Sequence, residues 1–475
     1  MNLEFLRPII KYLPEVKLPK RHVPFKEKLI WTSVILALFF FMGRIYPVKV
    51  SPASLPPQYQ QFTMIFASSM GSIISAGIGP IVTDSIILQL LVGAKIIEMD
   101  MTRTENRALF QGAQKILTII IAFFEASAIV YGFGLSATIL EDGSRVFSHP
   151  LVELTILQIA LGSILLMYMD EVVSKWGIGS GIGLFIAGGV SQHIITASFN
   201  FLRNETGSFY GIIPNFIEQV TTGNFDLMLI FPVIATIIIF LIVVYGESMR
   251  LEIPLSYGGI RGIGGRYPLK FFYVSNIPVI LASALLMNVT MWTKFVGVDI
   301  YNPSSEMNTI QKIVYWISSN ITLGNLNNII PESLYDLITG NTPRIFDFSI
   351  LLHLIIYLSV FVGLCIMFGK FWVETTGLGA EQVAEQIQQG GMQIPGFRRD
   401  KRIVERVLNR YIPQITIISS VAVGLLAAGA DLLGALGSGT GILLTVGILY
   451  RLYEEIQREQ MAEMHPAFRR FMGKI

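Results

Sequence analysis

The sequence offers few residues for covalent or acid–base chemistry. Its five histidines are scattered, and only His193 and His353 fall near apolar runs, where a packing role suits them. Cys365 is the single cysteine and sits inside such a run, so it has no disulfide partner and serves as a small apolar side chain. No phosphate-binding glycine loop, metal-ligand cluster, Ser-His or Cys-His pairing is evident, so neither an enzyme nor a cofactor is expected. Among carboxylates, only Asp84 and Glu125 fall deep in apolar runs; Glu153, Asp170, Glu171 and Glu247 fall at their ends. What recurs is a different pattern, in which glycine or proline breaks are bordered by aliphatic residues. Ile78 lies within "GIGP" at 77–80 and Val82 just after it, Ile178 and Ile182 lie within "GIGSGIG" at 177–183, Ile280 ends "IPVI" at 277–280, and Leu444 follows "GSGTG" at 437–441. The chemistry open to such a set is exclusion. Branched aliphatics are stiff and form no hydrogen bonds, so a ring of them keeps water and ions out while giving a sliding peptide nothing to stick to. Taken singly, each is also an ordinary packing residue.

The elements that must position these residues are membrane spans. Hydrophobic residues make up 52% of the 475 and charged residues 14%, well below the roughly 25% of soluble domains. Ten apolar runs are long enough to approach or cross about 30 Å of hydrocarbon. They cover 29–48, 73–97, 116–135, 151–169 and 178–195, then 227–245, 271–292, 350–371, 415–430 and 440–452. A cleavable signal peptide is not expected, because the 28 residues before the first run are rich in proline and charge. With the N-terminus in the cytoplasm, 28 of the 35 Lys and Arg fall on the cytoplasmic side, which places both termini there. A proline or glycine break in a span is tolerated only where protein or a water-filled cavity surrounds it.

An internal repeat underlies the breaks. "GSGIGLFI" at 179–186 in the fifth run returns as "GSGTGILL" at 437–444 in the tenth, and the second and seventh runs each carry a proline near their start. Five spans per half require the second half to be inverted relative to the first, which puts a functional pathway between the halves near mid-membrane. Three readings fit: a secondary transporter of five-plus-five inverted repeats, a structural protein using glycines for close helix packing, and a protein-conducting channel. A transporter wants charges or helix ends gathered at the midplane. The residues beside the breaks are aliphatic instead, which favours the channel.

The same segments carry a family resemblance. From "FKEKLIWT" at 25–32 through "GIGPIVT" at 77–83, "ENRALFQGAQK" at 105–115, "DEVVSKWGIGSGIGLFIAGGVSQ" at 170–192, "YPLKFFYVSNIPVILA" at 267–282 and "FWVETTGL" at 371–378 to "GALGSGTGILLTV" at 434–446, the chain resembles SecY, the large subunit of the Sec protein translocon, in its archaeal and eukaryotic branch. The resemblance implies an all-α polytopic membrane protein with ten transmembrane helices in two inverted, pseudo-symmetric halves around a central pore. It divides the chain into a cytoplasmic amphipathic segment (1–28), a first half (29–200), a second half (201–455) with cytoplasmic loops at 246–270 and 372–411, and a cytoplasmic tail (456–475). By the same resemblance the pore ring is Ile78, Val82, Ile178, Ile182, Ile280 and Leu444. A plug is implied at 62–72, including Phe62, Ile65, Ser68, Ser69 and Gly71; a re-entrant segment without motion is the alternative. Thr83, Glu125 and Asn288 are implied as the polar residues of a lateral gate between spans two and three and spans seven and eight. Asp84 departs from the family pattern and could face the pore or pair across that gate.

Arg261, Arg266, Arg398 and Arg399 lie in the two long cytoplasmic loops. Charge alone reads them as topology signals, and the resemblance reads them as ribosome contacts. Other implied partners are small SecE/gamma-type and beta-type subunits, signal sequences, nascent polypeptides and membrane lipid. The location implied is the plasma membrane of an archaeon, with the endoplasmic reticulum as second choice. Residues 3–13 are amphipathic and expected on the membrane surface. The outer loop 293–349 has no usable motif, and the sequons at Asn204 and Asn320 on the outer side are of a kind common by chance.

Overall fold

The computed structural model describes residues 7–21, 23–48, 50, 67–93, 96–97, 104–133, 135, 138–139, 145–146, 149–203, 207–223, 227–257, 264–274, 277–293, 296–298, 307–326, 329–339, 342–389, 392–393 and 401–464. Among these, ten helices run fifteen residues or longer: α1 (Phe25–Met42), α2 (Gly79–Gly93), α3 (Thr104–Phe133), α4 (His149–Trp176), α5 (Gly181–Phe199), α6 (Phe231–Ser248), α7 (Ile277–Thr293), α8 (Phe348–Thr375), α9 (Lys401–Leu432) and α10 (Gly439–Met464). Aliphatic runs become helices here because lipid offers backbone groups no partners, and a helix satisfies them within one segment. Six of the ten, α3, α4, α5, α6, α8 and α9, are long and apolar enough to cross a membrane, and α2 and α7 are shorter apolar helices.

Packing follows one pattern twice. In the first five helices α1 meets α4 and α5, α2 meets α3, α3 meets α4, and α4 meets α5. In the last five α6 meets α9 and α10, α7 meets α8, α8 meets α9, and α9 meets α10. The two sets share one continuous apolar core that includes Phe39, Ile129, Phe185, Phe361, Phe368 and Leu443.

The second helix starts later than its apolar run. Residues 73–78 form turns, and helix begins only at Gly79. Gly71 (φ +83°) and Gly77 (φ +56°) take left-handed backbone that a side chain would resist. The Ile73 N–H donates to the Ile45 carbonyl at 2.9 Å, and the Ser75 hydroxyl donates to the Ser72 carbonyl. This turn presses on α4, where a Cβ at Gly162 would collide with the Ile73 carbonyl. Gly162→Ala is therefore expected to destabilise the protein by roughly 1–3 kcal/mol through overpacking, read as a lower Tm of the purified protein in detergent.

Between the long helices lie elements the apolar runs did not announce: helices Ile212–Thr222, Thr309–Ile321 and Ile329–Ile338, and a helix Ala380–Gln389 that buries Val383, Ala384 and Ile387 against Val404, Leu408 and Ile412 of α9. After α6 the chain forms an antiparallel hairpin, β3 (Arg250–Tyr257) and β4 (Gly264–Lys270), following a smaller pair, β1 (Thr138–Ile139) and β2 (Arg145–Val146). A short strand between α8 and α9, β5 (Met392–Gln393), adds to β3 through Ser256 opposite Gln393 and Tyr257 opposite Met392. The two long loops thus share one sheet, in the order β4-β3-β5.

The charged end of α10 ties this face together. Glu454 pairs with Arg250 at 2.9 Å and Lys270 at 2.6 Å, and Glu459 pairs with Lys28 of α1 at 2.6 Å. Of the amphipathic segment expected over 3–13, the described residues 7–13 include one helical turn, Arg7–Ile10. Ile10 packs with Leu109 and Ala113 of α3, and Lys175 of α4 bonds Glu15 at 2.9 Å. Residues 7–15 thus touch both α3 and α4.

Candidate functional site

The breaks place helix starts, and the helix starts place the aliphatic residues. Val82 sits in the first turn of α2, Ile182 in the first turn of α5 and Ile280 in the first turn of α7. These three side chains, from both sets of five helices, line one cavity of about 500 Å³. Ile81, Ile277 and Ile448 add to its apolar wall, and Arg451 and Glu455 of α10 also line it. Ile78, immediately before α2, and Leu444, in the second turn of α10, are fully buried in the core that borders this cavity. Ile178 differs. The fifth span begins at Gly181, so Ile178 lies in the α4–α5 connection, where its N–H donates to the Thr32 hydroxyl of α1 at 3.0 Å. It lines neither the cavity nor that core.

Beside the cavity three polar side chains join across helices. The Thr83 hydroxyl of α2 donates to Oε1 of Glu125 on α3 at 2.6 Å, and Nδ2 of Asn288 on α7 donates to the Thr83 hydroxyl at 2.9 Å. All three are at most 5% exposed. Thr83 therefore spans the boundary between α2–α3 and α7 as donor and acceptor at once. Asn288 Oδ1 is buried and has no hydrogen-bond partner among the described residues.

Asp84 neither faces the cavity nor crosses this boundary. Its side chain turns to α3, where it accepts the Thr118 hydroxyl, and it also accepts the Ser85 hydroxyl at 3.0 Å. Gln114 Nε2 donates to the same Ser85 oxygen at 3.0 Å. The network fastens α2 to α3 on the same side of the seam. Nothing in the residue types foretold that partner, because a Thr 34 positions away becomes a neighbour only once α2 and α3 pack.

Of the expected plug, Ser68, Ser69 and Gly71 are described, and Phe62 and Ile65 lie outside the described residues. Ser69 donates to the Gly43 carbonyl at 3.0 Å. Ser68 and Ser69 line a second cavity of about 220 Å³ with Arg44, Tyr46, Gln192 and His193. Arg266 lies in β4 opposite Pro254, while Arg261, Arg398 and Arg399 lie outside the described residues. Among the described residues no group of His, Cys, Asp and Glu is arranged to hold a metal. Sequence reading missed Gln89, Trp372, Arg451 and Glu455 on the cavity wall. Arg451 and Glu455 carried a signal, since they follow Leu444 at helical spacing on the same element.

Comparison with known proteins decides the family. A family model described as SecY matches residues 72–453. The chain belongs to the SecY family. A protein translocase subunit SecY from Methanothermobacter thermautotrophicus is 47% identical over 99% of both chains. Among solved structures, a protein-conducting channel matches with a TM-score of 0.80 at 44% identity, covering 97% of this chain and 99% of that one. Sec61 in the canine ribosome–channel complex from the endoplasmic reticulum matches with a TM-score of 0.77 at 44% identity, covering 97% and 99%. As a SecY-family chain it is a multi-pass membrane protein, and the transporter alternative has no counterpart among these relatives.

Proposed function

We propose that this chain is the channel-forming subunit through which unfolded secretory polypeptides cross the membrane and transmembrane segments leave sideways into lipid. The observation that carries this is the meeting of Val82, Ile182 and Ile280, from three helix starts, on one cavity wall. A waist of this kind seals by excluding water and yields to a chain of any sequence, because it makes no directional bonds with its cargo. Catalysis is not required. Work comes from the elongating ribosome or another partner.

The ten long helices are read as ten spans in two inverted halves, a reading supported by the repeated packing pattern and by the odd number of helices in each set. The Thr83–Glu125–Asn288 chain is read as the latch of a lateral gate. Interhelical hydrogen bonds in lipid contribute only about 0.6–2 kcal/mol each, a strength that an apolar signal segment can overcome. Residues 62–72 are read as a plug hinged at Gly71 and Gly77. The hairpin and the loop before α9 are read as the ribosome-facing surface, with both termini on that cytoplasmic side, and small SecE/gamma-type and beta-type subunits as companions. Nascent polypeptides and their signal sequences are the cargo, membrane lipid receives the released segments, and the membrane is the archaeal plasma membrane.

A translocating precursor in vesicles should crosslink to photoreactive probes at Val82 and at Ile280. Saturable uptake of a small solute without such crosslinks would overturn the channel reading. For the docking surface, charge reversal at Arg261 and Arg398 is expected to weaken ribosome binding by about tenfold or more, since several phosphate contacts are lost, and to leave insertion topology unchanged. Inverted topology with normal ribosome binding would return these arginines to the role of topology signals.

A further inference from the structure

Two aspartates outside the waist and the seam occupy matched places. Asp170 is near the end of α4 and Asp431 near the end of α9, each on the helix that precedes a glycine-serine-glycine break. Asp170 Oδ1 accepts the Ile182 N–H at 2.9 Å and the Ser180 hydroxyl at 3.4 Å. Asp431 Oδ1 accepts the Gly439 N–H at 2.6 Å, and its Oδ2 accepts the Thr440 hydroxyl at 3.1 Å.

The backbone is shaped for both contacts. Gly179 and Gly437 have nearly equal left-handed φ angles, +76° and +80°, two residues before the helices begin. At Gly181 a Cβ would lie 2.6 Å from the Asp170 Cα, and at Gly439 it would overlap Ala430 and the Asp431 amide. Neither aspartate forms an ion pair among the described residues. A carboxylate placed there is balanced instead by the unpaired N–H groups and positive end of the next helix, through charge-assisted hydrogen bonds.

The helices so held, α5 and α10, carry Ile182 and Leu444 in their first two turns. At Asp170 the bound amide is that of Ile182 itself. We infer that Asp170 and Asp431 are paired positioning residues of the waist, each fixing from the preceding helix the start of the helix that bears a ring side chain. This rests on the reading of Ile182 and Leu444 as part of a seal. The pair also accounts for why both breaks share one sequence: serine and glycine at these positions let a carboxylate reach the first amides of the helix.

The test uses the full-length chain reconstituted in vesicles, with resting ion conductance and amide hydrogen exchange as readouts. Asp170→Ala and Asp431→Ala are expected to speed exchange about tenfold in the first turns of α5 and α10 respectively, with the rest of α4 and α9 unchanged. Resting conductance should rise with it. Asp170→Asn and Asp431→Asn, which keep an acceptor oxygen for the amide, should stay within about twofold of the parent on both readouts. Ile182→Ser serves as the reference, raising conductance with exchange unchanged. Exchange that is unchanged in the alanine variants, or raised throughout the bundle, overturns the inference. So does local loosening without conductance where Ile182→Ser does conduct. Local loosening with no conductance in any variant, Ile182→Ser included, supports the caps and removes the seal, so the two failures are told apart.

Discussion

Replacing Val82, Ile182 and Ile280 together with serine is expected to raise the resting ion conductance of the reconstituted channel about tenfold or more, because an apolar constriction gates by staying dry. The three residues share the wall of one cavity that Arg451 and Glu455 also line. Serine removes the aliphatic bulk and adds a hydroxyl that binds water, so it both widens the waist and lets it wet. Two controls sharpen the result. Leucine at the same positions conserves apolar character and should keep conductance near the parent value. Ile178→Ser should leave it within about twofold, because Ile178 lies in the α4–α5 connection beside Thr32 and not on the cavity, and a dry constriction elsewhere still gates. Single-channel recording in planar bilayers measures all three. If Ile178→Ser leaks and the triple variant does not, the waist lies elsewhere.

Thr83→Val and Asn288→Leu are expected to move the lateral seam in opposite directions, although both delete a hydrogen bond. Thr83 is the middle of the chain, donating to Glu125 and accepting from Asn288. Valine leaves a buried carboxyl oxygen and a buried amide without that partner, which costs about 1–3 kcal/mol per orphaned group. The closed seam should weaken, and less hydrophobic signal segments should be accepted. Asn288→Leu removes one bond, but it also removes an Oδ1 that is buried and unpartnered, and Thr83 still donates to Glu125. The closed seam should then be as stable as before or more stable, and the hydrophobicity needed for insertion should rise. A series of signal segments graded in leucine content, scored for insertion, measures both thresholds. Equal shifts in one direction would mean that the three residues do not act as a hydrogen-bonded chain.

Much of this architecture could be read from residue types. The apolar runs announced ten helices because lipid forces aliphatic segments into self-satisfied backbone, and the glycine breaks announced where helices would begin. The residues on the cavity wall had a local signal: Val82, Ile182 and Ile280 each lie beside a break, in the first turn of a helix, and line one cavity. The apolar run drawn from Ile178 started three residues early, because hydropathy does not say on which side of a glycine the helix resumes. With Gly179 at φ +76° the chain turns after Ile178, not before it. Asp84 stayed ambiguous because its partner Thr118 is on another helix, and pairing across helices has no sequence period.

The helix Thr309–Ile321 did carry a local signal. Asn308 and Gln311 form a capping box, with the Asn308 N–H donating to the Gln311 side chain at 3.0 Å. That signal is short, and a segment judged by hydropathy alone hides it. The β3–β5 pairing was beyond reach, since its strands are separated by more than a hundred residues and two long helices.

That pairing has a mechanical consequence. The hairpin leads directly into α7, and β5 leads from α8 towards α9, so the three strands act as a yoke across those helices. Traction applied to either loop is shared by both, and reaches α7 and α8 in step. The Glu454 and Glu459 ion pairs carry part of the same load through α10, and through Lys28 onward to α1. A machine gripping this face would therefore tug α7 and α8 together, and would reach α1 through the Lys28–Glu459 ion pair as well as through the shared apolar core.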